Sequence, residues 1–342
     1  MKINNVVIIG SGNRVQNTIL PALYLVKDKF VIRDVYSKST KNIRFQGSNT
    51  NIRTKTNIES IDFKDIDILI ISITPSAVPE VLNMLPKKYL KNIFLYIDTP
   101  VVDYKDIKST TFFKYFKKVA VLEDYISMFY FDKIAGFVRN KTFGNLKKIY
   151  LFHNGFRYHA IAILKKITGQ LYIKKIKKKL ISNGVSEITV SFWNGVECLI
   201  LEPRKYEIGR FMVVFDRAII SDYGIFGQNS IQIHYSKSKE LYYGYEFEGL
   251  INCKYNFINN EILINKHNNF RDISLINFMK IDSLAVMITN FKNYKYNYCY
   301  SQSLYDNMLT TILDKYGIVY DIPLPWIRYS FLSILISIKQ LS

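Results

Sequence analysis

The feature that most constrains this chain stands almost at its start. The stretch "VVIIGSGNRVQNTILPAL", Val6 to Leu23, is a short branched apolar run, a Gly-x-Gly pair and then a helical pattern. A buried strand that stops at a glycine and turns directly into a helix opens a βαβ unit. The rhythm continues. Strands read at Asn5–Gly10, Phe30–Ser37, Asp67–Ile73, Asn92–Asp98 and Val119–Tyr125, with "NTILPALYLV" and "SAVPEVLNML" as helices between them. "DILIISI" is nearly continuous in Ile and Leu, as a strand covered on both faces should be. A parallel sheet with helices on both faces follows.

After about Tyr125 the pattern changes. A helix spans about 127–141, "LKKIYLF" reads as a strand, and "YHAIAILKKIT" is an amphipathic helix closed by Gly169. Then come seven strand-like runs with short turns, from "EITVSFW" to "CKYNFI", which make an antiparallel sheet. Helices follow at about 273–291, 301–315 and 326–339. The chain therefore reads as an α/β domain, 1–122, followed by an α+β domain, 123–342, built on a large open, mostly antiparallel sheet. The last helices have the option of packing back on the first domain. At 342 residues and 49% hydrophobic content there is ample material for two cores.

Composition excludes several classes. The longest apolar run, "YSFLSILISI", is shorter than a membrane span and is closed by Lys339. No signal-peptide pattern opens the chain, so a cytoplasmic protein with no membrane contact is expected. Cys198, Cys253 and Cys299 are far apart and read as small core residues, with neither a metal pair nor a disulfide framework. The net charge of +19 is spread along a Lys-, Asn- and Ile-rich chain, so no nucleic-acid partner is expected. In the densest basic run, "IKKIKKKL", residues Ile173, Ile176 and Leu180 recur at helical spacing, which predicts an amphipathic helix. His153, His234 and His267 have no partners at ligand spacing, so no metal is expected.

The opening motif implies a dinucleotide site. Gly10 suits the tight turn, Gly12 lets backbone approach a pyrophosphate, and Asn13 and Arg14 lie at the helix start, where free N–H groups face the phosphate. Val15 stands where a third small residue is usual. After the second strand, "YSKSTK" has no carboxylate beyond Asp34. Its Ser37, Lys38, Ser39 and Lys41 suit a ribose 2′-phosphate, which favours NADP over NAD. Thr74, Pro75 and Ser76 sit at the carboxyl end of the third strand, where ligands bind in open α/β sheets; Ser76 serves equally as a helix cap.

Four segments in this order resemble the glucose–fructose oxidoreductase/inositol dehydrogenase (Gfo/Idh/MocA) family. "GSGNRVQNTILPAL" is similar to its opening motif and "ISITPSAVPEVL" to its third-strand segment. "YIDTP" stands in place of its Glu-Lys-Pro motif, and "HNGFRYHAIAILKKITG" resembles its helix with an active-site His. The resemblance covers residues 1 to about 170. It implies a Rossmann domain and a substrate domain whose open sheet builds homodimers or homotetramers. It also implies hydride transfer to or from a hydroxyl or carbonyl of a sugar, cyclitol or nucleotide sugar. On this reading His159 carries the proton, with Tyr158 and Thr99 beside it. Asp98 and Pro100 border the cofactor, while Glu123, Asp124, Tyr125 and Arg157 border the substrate. Two departures stand out. Thr99 replaces the family's Lys, a cation beside the reacting bond, and Gly155 replaces a carboxylate often found four residues before the His. They keep open a cofactor-binding partner or sensor that has lost hydride transfer, and an imine reductase that would not need the Lys.

Overall fold

The computed structural model describes residues 3–45, 51–182, 184–205, 209–224, 229–238, 241–257, 275–293 and 298–320. The helix expected at 326–339 and His267 lie outside them. The chain divides into two compact units. The first is Met1–Tyr130 with His234–Phe247 and Cys253–Leu304; the second is Phe131–Ile233 with Glu248–Asn252 and Tyr305–Ser342. The sequence pattern puts the junction near residue 122 and lets the last helices return to the first domain; the first unit runs to Tyr130 and takes in His234–Phe247 and Cys253–Leu304.

The first unit is built on a parallel sheet of β1 (Asn4–Ile9), β2 (Phe30–Tyr36), β5 (Ile68–Ile71), β6 (Phe94–Ile97) and β7 (Lys118–Val121), in the order β2-β1-β5-β6-β7. All of β5 and β6 is buried, as continuous apolar strands in a covered sheet must be. Helices α1 (Leu20–Leu25), α2 (Val78–Met84) and α3 (Lys87–Leu90) belong to its crossovers. The crossover from β2 to β5 carries a two-stranded hairpin, β3 (Asn42–Arg44) with β4 (Asn51–Arg53), which the sequence pattern does not signal.

The second sheet has ten strands and is mostly antiparallel. Helix α4 (Phe129–Arg139) precedes β8 (Leu146–Phe152), and α5 (Arg157–Thr168) follows it. The strands after α5 are β9 (Ile173–Ser182), β10 (Val185–Phe192), β11 (Glu197–Glu202), β12 (Arg210–Phe215), β13 (Ile219–Ser221), β14 (Ser230–Ser238), β15 (Leu241–Gly249) and β16 (Cys253–Asn256). Helices α6 (Leu275–Thr289) and α7 (Tyr300–Tyr316) and the strand β17 (Ile318–Tyr320) follow. The order is β16-β15-β14-β13-β12-β8-β11-β10-β9-β17. Burial alternates strictly along β10, so one face carries Ile188, Val190 and Phe192 into the core. Of the three cysteines read as core residues, Cys198 is part of that core, and burial pushes its thiol pKa well up, away from nucleophilic use, whereas Cys253 is half-buried and Cys299 exposed.

The basic run corrects one expectation. Residues 173–182 form β9 and not a helix. Lys175 pairs with Ser191 while Ile173 pairs with Phe192, so Lys174 is an extra residue in a bulge. The bulge brings Ile173 and Ile176 to the same buried face, which imitates the three-residue spacing of a helix. Among the described residues, only the three-residue β17 lies outside β9, so the lysines line a near-edge strand, where charge opposes edge-to-edge pairing.

Candidate functional site

A cleft of about 840 Å³ opens at the carboxyl ends of β1, β2, β5 and β6, all in the first unit. Its floor requires glycine. Gly10 has φ +131°, and a Cβ there would lie 1.9 Å from the Ser72 carbonyl oxygen. The backbone around it is tied down: Gly10 N–H donates to Tyr36 O at 2.8 Å and Ser72 N–H to Ile9 O at 2.9 Å. Beside Gly12, by contrast, no atom lies within 4 Å of the position a Cβ would take, so the backbone is bare toward the cleft. The following helix opens at Asn13 and Arg14, with Gln16 N–H bonded to Gly12 O at 3.1 Å, then passes through a π stretch, Val15–Ile19, before becoming α1. Val15, the bulky third residue of the motif, is fully buried at the start of that stretch.

At the β2 end, Ser37, Lys38, Ser39 and Lys41 all reach the cleft wall. The loop is braced by the buried Thr54, just after β4. Its hydroxyl lies 2.9 Å from Ser37 Oγ and 3.0 Å from Ser39 O, and it accepts from Lys41 N–H at 3.0 Å. Asp34 is occupied by Lys55 at 2.6 Å. The wall also includes Thr56, Asn57 and Glu59, which sequence reasoning missed. Asn57 caps the single turn Ile58–Ser60 by accepting from Glu59 N–H at 3.1 Å, and that Asn-x-Glu turn signal is present in the sequence.

At the β5 and β6 ends, Thr74 and Asp98 line the cleft, but Pro75, Thr99 and Pro100 are not on its wall. Asp98 accepts from the Ser72 hydroxyl at 2.7 Å and from Thr99 N–H at 3.0 Å, and its Oδ1 lies 3.4 Å from Arg14 Nε. Asn13 and Arg14 line the cleft as well. The Arg14 guanidinium, however, is held from below, donating to Asp124 Oδ2 at 2.6 Å and to Leu122 O at 3.3 Å. Burial pushes its pKa down, and Asp124 and Asp98 more than reverse this, so it remains charged. Glu123, Asp124 and Tyr125 are buried at the exit of β7. The Ser283 hydroxyl on α6 donates to Asp124 O, and Lys280 Nζ sits 4.9 Å from the Tyr125 ring centre.

In the second unit, α5 starts after Phe156 without a side-chain cap and ends at Gly169, whose φ of +69° makes the left-handed stop. Its first turn holds Arg157, Tyr158 and His159. The ring of His159, which is buried, lies 4.3 Å from that of Tyr158. Arg157 is committed elsewhere. Its fork grips Glu202 at 2.8 and 2.7 Å, and Nη1 reaches Asp314 at 2.7 Å and Thr310 O at 3.2 Å. Further along, Lys165 on α5 pairs with Asp306 on α7 at 2.7 Å, both almost wholly out of water.

Solved structures with this architecture cover nearly the whole chain. A super-repressor mutant of Gal80p from Saccharomyces cerevisiae matches with a TM-score of 0.61 at 13% identity, over 93% of this chain and 98% of that one. A myo-inositol dehydrogenase from Corynebacterium glutamicum matches at 0.60 and 11%, over 91% and 95%. The fold is that of the Gfo/Idh/MocA-type oxidoreductases. An NAD binding oxidoreductase from Klebsiella pneumoniae adds a match at 0.60 and 8%, over 94% and 100%. No family model matches the sequence, and no curated protein matches it. Among the described residues, no helix is long and apolar enough to cross a membrane. Within the Gfo/Idh/MocA-type fold, the cleft at Gly10 and Gly12 occupies the carboxyl edge of the Rossmann sheet.

Proposed function

We propose that this chain is an NADP-dependent oxidoreductase of a sugar, nucleotide sugar or similar substrate. The observation that carries the reading is Gly10: its Cβ position is filled by the Ser72 carbonyl, while Gly12 opens bare backbone to the cleft. That is the shape a pyrophosphate needs beside a helix start. NADP is favoured over NAD because Lys38 and Lys41 reach the wall with two serine hydroxyls, and Asp34 is neutralised by Lys55. Bound there, the nicotinamide supplies or accepts a hydride. The chain's part is to hold the dinucleotide and to move a proton, the role given to His159, whose imidazole can donate or accept one. Thr99 has no titratable group and can only orient. A cytoplasmic homodimer or homotetramer completes the reading.

Fluorescence titration with NADPH and NADH tests the cofactor. Tighter binding of NADPH is expected, with Lys38→Ala narrowing the gap; equal or reversed affinities would sink the choice. A panel of sugars, nucleotide sugars and keto sugars followed by NADPH absorbance tests the reaction. With a turned-over substrate, His159→Ala should lower turnover by roughly 100-fold, and full activity would remove His159 from the mechanism. A second reading, a cofactor-binding partner or sensor without turnover, is favoured by Thr99 in the place of the Lys. It is the reading to adopt if NADPH binds and nothing in the panel reacts.

A further inference from the structure

The parallel sheet has a second edge, and a smaller pocket of about 370 Å³ lies there. It is lined by the amino ends of four strands: Asn4 begins β1, Asp67 precedes β5, Phe94 begins β6 and Lys118 begins β7. The cleft at Gly10 lies at the carboxyl ends of the same sheet, so the two sites are a strand length apart, roughly 13–20 Å for strands of this size.

Basic residues outnumber acidic ones in this pocket. Lys117, Lys118 and Lys292 line it, with the amides of Asn4 and Asn92. The one carboxylate of the lining, Asp67, accepts from Asn5 N–H at 3.0 Å. Lys292 follows the end of α6, where a cation also answers the helix dipole. Lys117 and Lys118 stand at the start of β7. The rest of the lining is aromatic: Phe94 and Phe291 meet edge to face at 5.4 Å, and Lys118 Nζ lies 5.3 Å from the Phe94 ring centre. Burial lowers the Lys118 pKa, a cost that a neighbouring negative charge would offset. Three lysines beside the half-buried Phe291 and the buried Phe94 fit a ligand with a charged head and an apolar body.

We propose that this pocket is a second ligand site, for a small anion whose carboxylate or phosphate meets Lys117, Lys118 and Lys292 while its apolar part lies against Phe94 and Phe291. The inference stands independently of the function of the Gly10 cleft.

Isothermal titration of the full chain with phenyl phosphate, benzoate and inorganic phosphate tests it. Phenyl phosphate or benzoate should bind more tightly than inorganic phosphate, and which of the two is tighter tells phosphate from carboxylate. Lys118→Gln should weaken binding about tenfold, as loss of a charged hydrogen bond does. The pair Lys117→Gln and Lys292→Gln, both exposed and safe for folding, should do at least as much. Lys174→Gln, on β9, should change nothing. The proposal is overturned if none of the three probes binds at millimolar concentration, or if inorganic phosphate binds as well as the aromatic anions. It is also overturned if Lys38→Gln, in the other cleft, abolishes binding while the Lys118 variant does not.

Discussion

The opening motif places Arg14 at the pyrophosphate, yet its guanidinium is bound to Asp124, which is fully buried, and to the nearby Asp98. Asp124, Asp98 and Glu123 all act on this one cation, which leaves it no surplus charge for a phosphate. Replacing Arg14 with Met removes the cation that Asp124 grips and leaves its buried carboxylate without that salt bridge. Breaking a buried pair from one side costs about 3–5 kcal/mol, because an uncompensated charge stays inside. Asp124→Asn should cost less, since Arg14 keeps Asp98 and the Leu122 carbonyl. The double variant Arg14→Met, Asp124→Asn removes both charges of the closest pair, and should be more stable than Arg14→Met alone by about 1–3 kcal/mol. Urea unfolding of the four proteins gives these differences directly as shifts in midpoint. NADPH affinity of the double variant should stay within about threefold of the parent, or less than 1 kcal/mol. If the double variant is as unstable as the sum of the singles, the stranded-charge argument is wrong. If it folds but loses NADPH by about tenfold or more, Arg14 leaves Asp124 to hold the pyrophosphate, as the motif implies.

Other changes probe the remaining commitments. Gly10→Ala meets the Ser72 carbonyl at a backbone φ that L-residues avoid, and should cost about 3 kcal/mol or more in urea unfolding. Gly12→Ala has open space and should leave stability nearly unchanged while weakening NADPH in the fluorescence titration. Arg157→Met strands Glu202 and should lower stability by about 3 kcal/mol without any substrate present, in thermal unfolding. Asp222 accepts from Phe211 N–H at 2.8 Å, and burial raises its pKa to about 6 from 3.8. The folded state therefore holds that proton more tightly than the unfolded one, and stability falls as pH rises from about 4 to 6, by about 2–3 kcal/mol. Asp222→Asn should gain that amount at pH 7.5 and nothing at pH 4; equal effects at both would rule the shift out.

The parallel half is legible because its signals are local. A strand buried on both faces must be apolar throughout, so "ILII" and "FLYI" can be read without knowing their neighbours. Most of the antiparallel strands announce themselves by alternation, as β10 does. What misleads is a period altered by a partner. The spacing of Ile173 and Ile176 is helical in the sequence, but the residue inserted between them belongs to a bulge whose reason is the register against Ser191 and Phe192. The hairpin of β3 and β4 is too short and too polar to carry a period at all.

The site divides along the same line, between what a residue needs and what it chooses. Gly10 needs its conformation: the positive φ and the carbonyl at the Cβ position exclude every side chain, so the glycine is a reliable sign from the sequence alone. Arginines and carboxylates choose partners, and the choice is made by elements brought together from far along the chain. Arg14 and Asp124 are separated by 110 residues, Arg157 and Asp314 by 157. Each arginine stands in a segment with a functional motif, and in each case the folded chain supplies a carboxylate close enough to claim it. A cation beside a motif is therefore evidence for ligand binding only after its own carboxylates have been counted. By that count Asp34 is removed from the reckoning, because Lys55 takes it up, while Glu59 and Glu80 share the wall of the Gly10 cleft with Lys38 and Lys41 and are the carboxylates a 2′-phosphate would have to outcompete there.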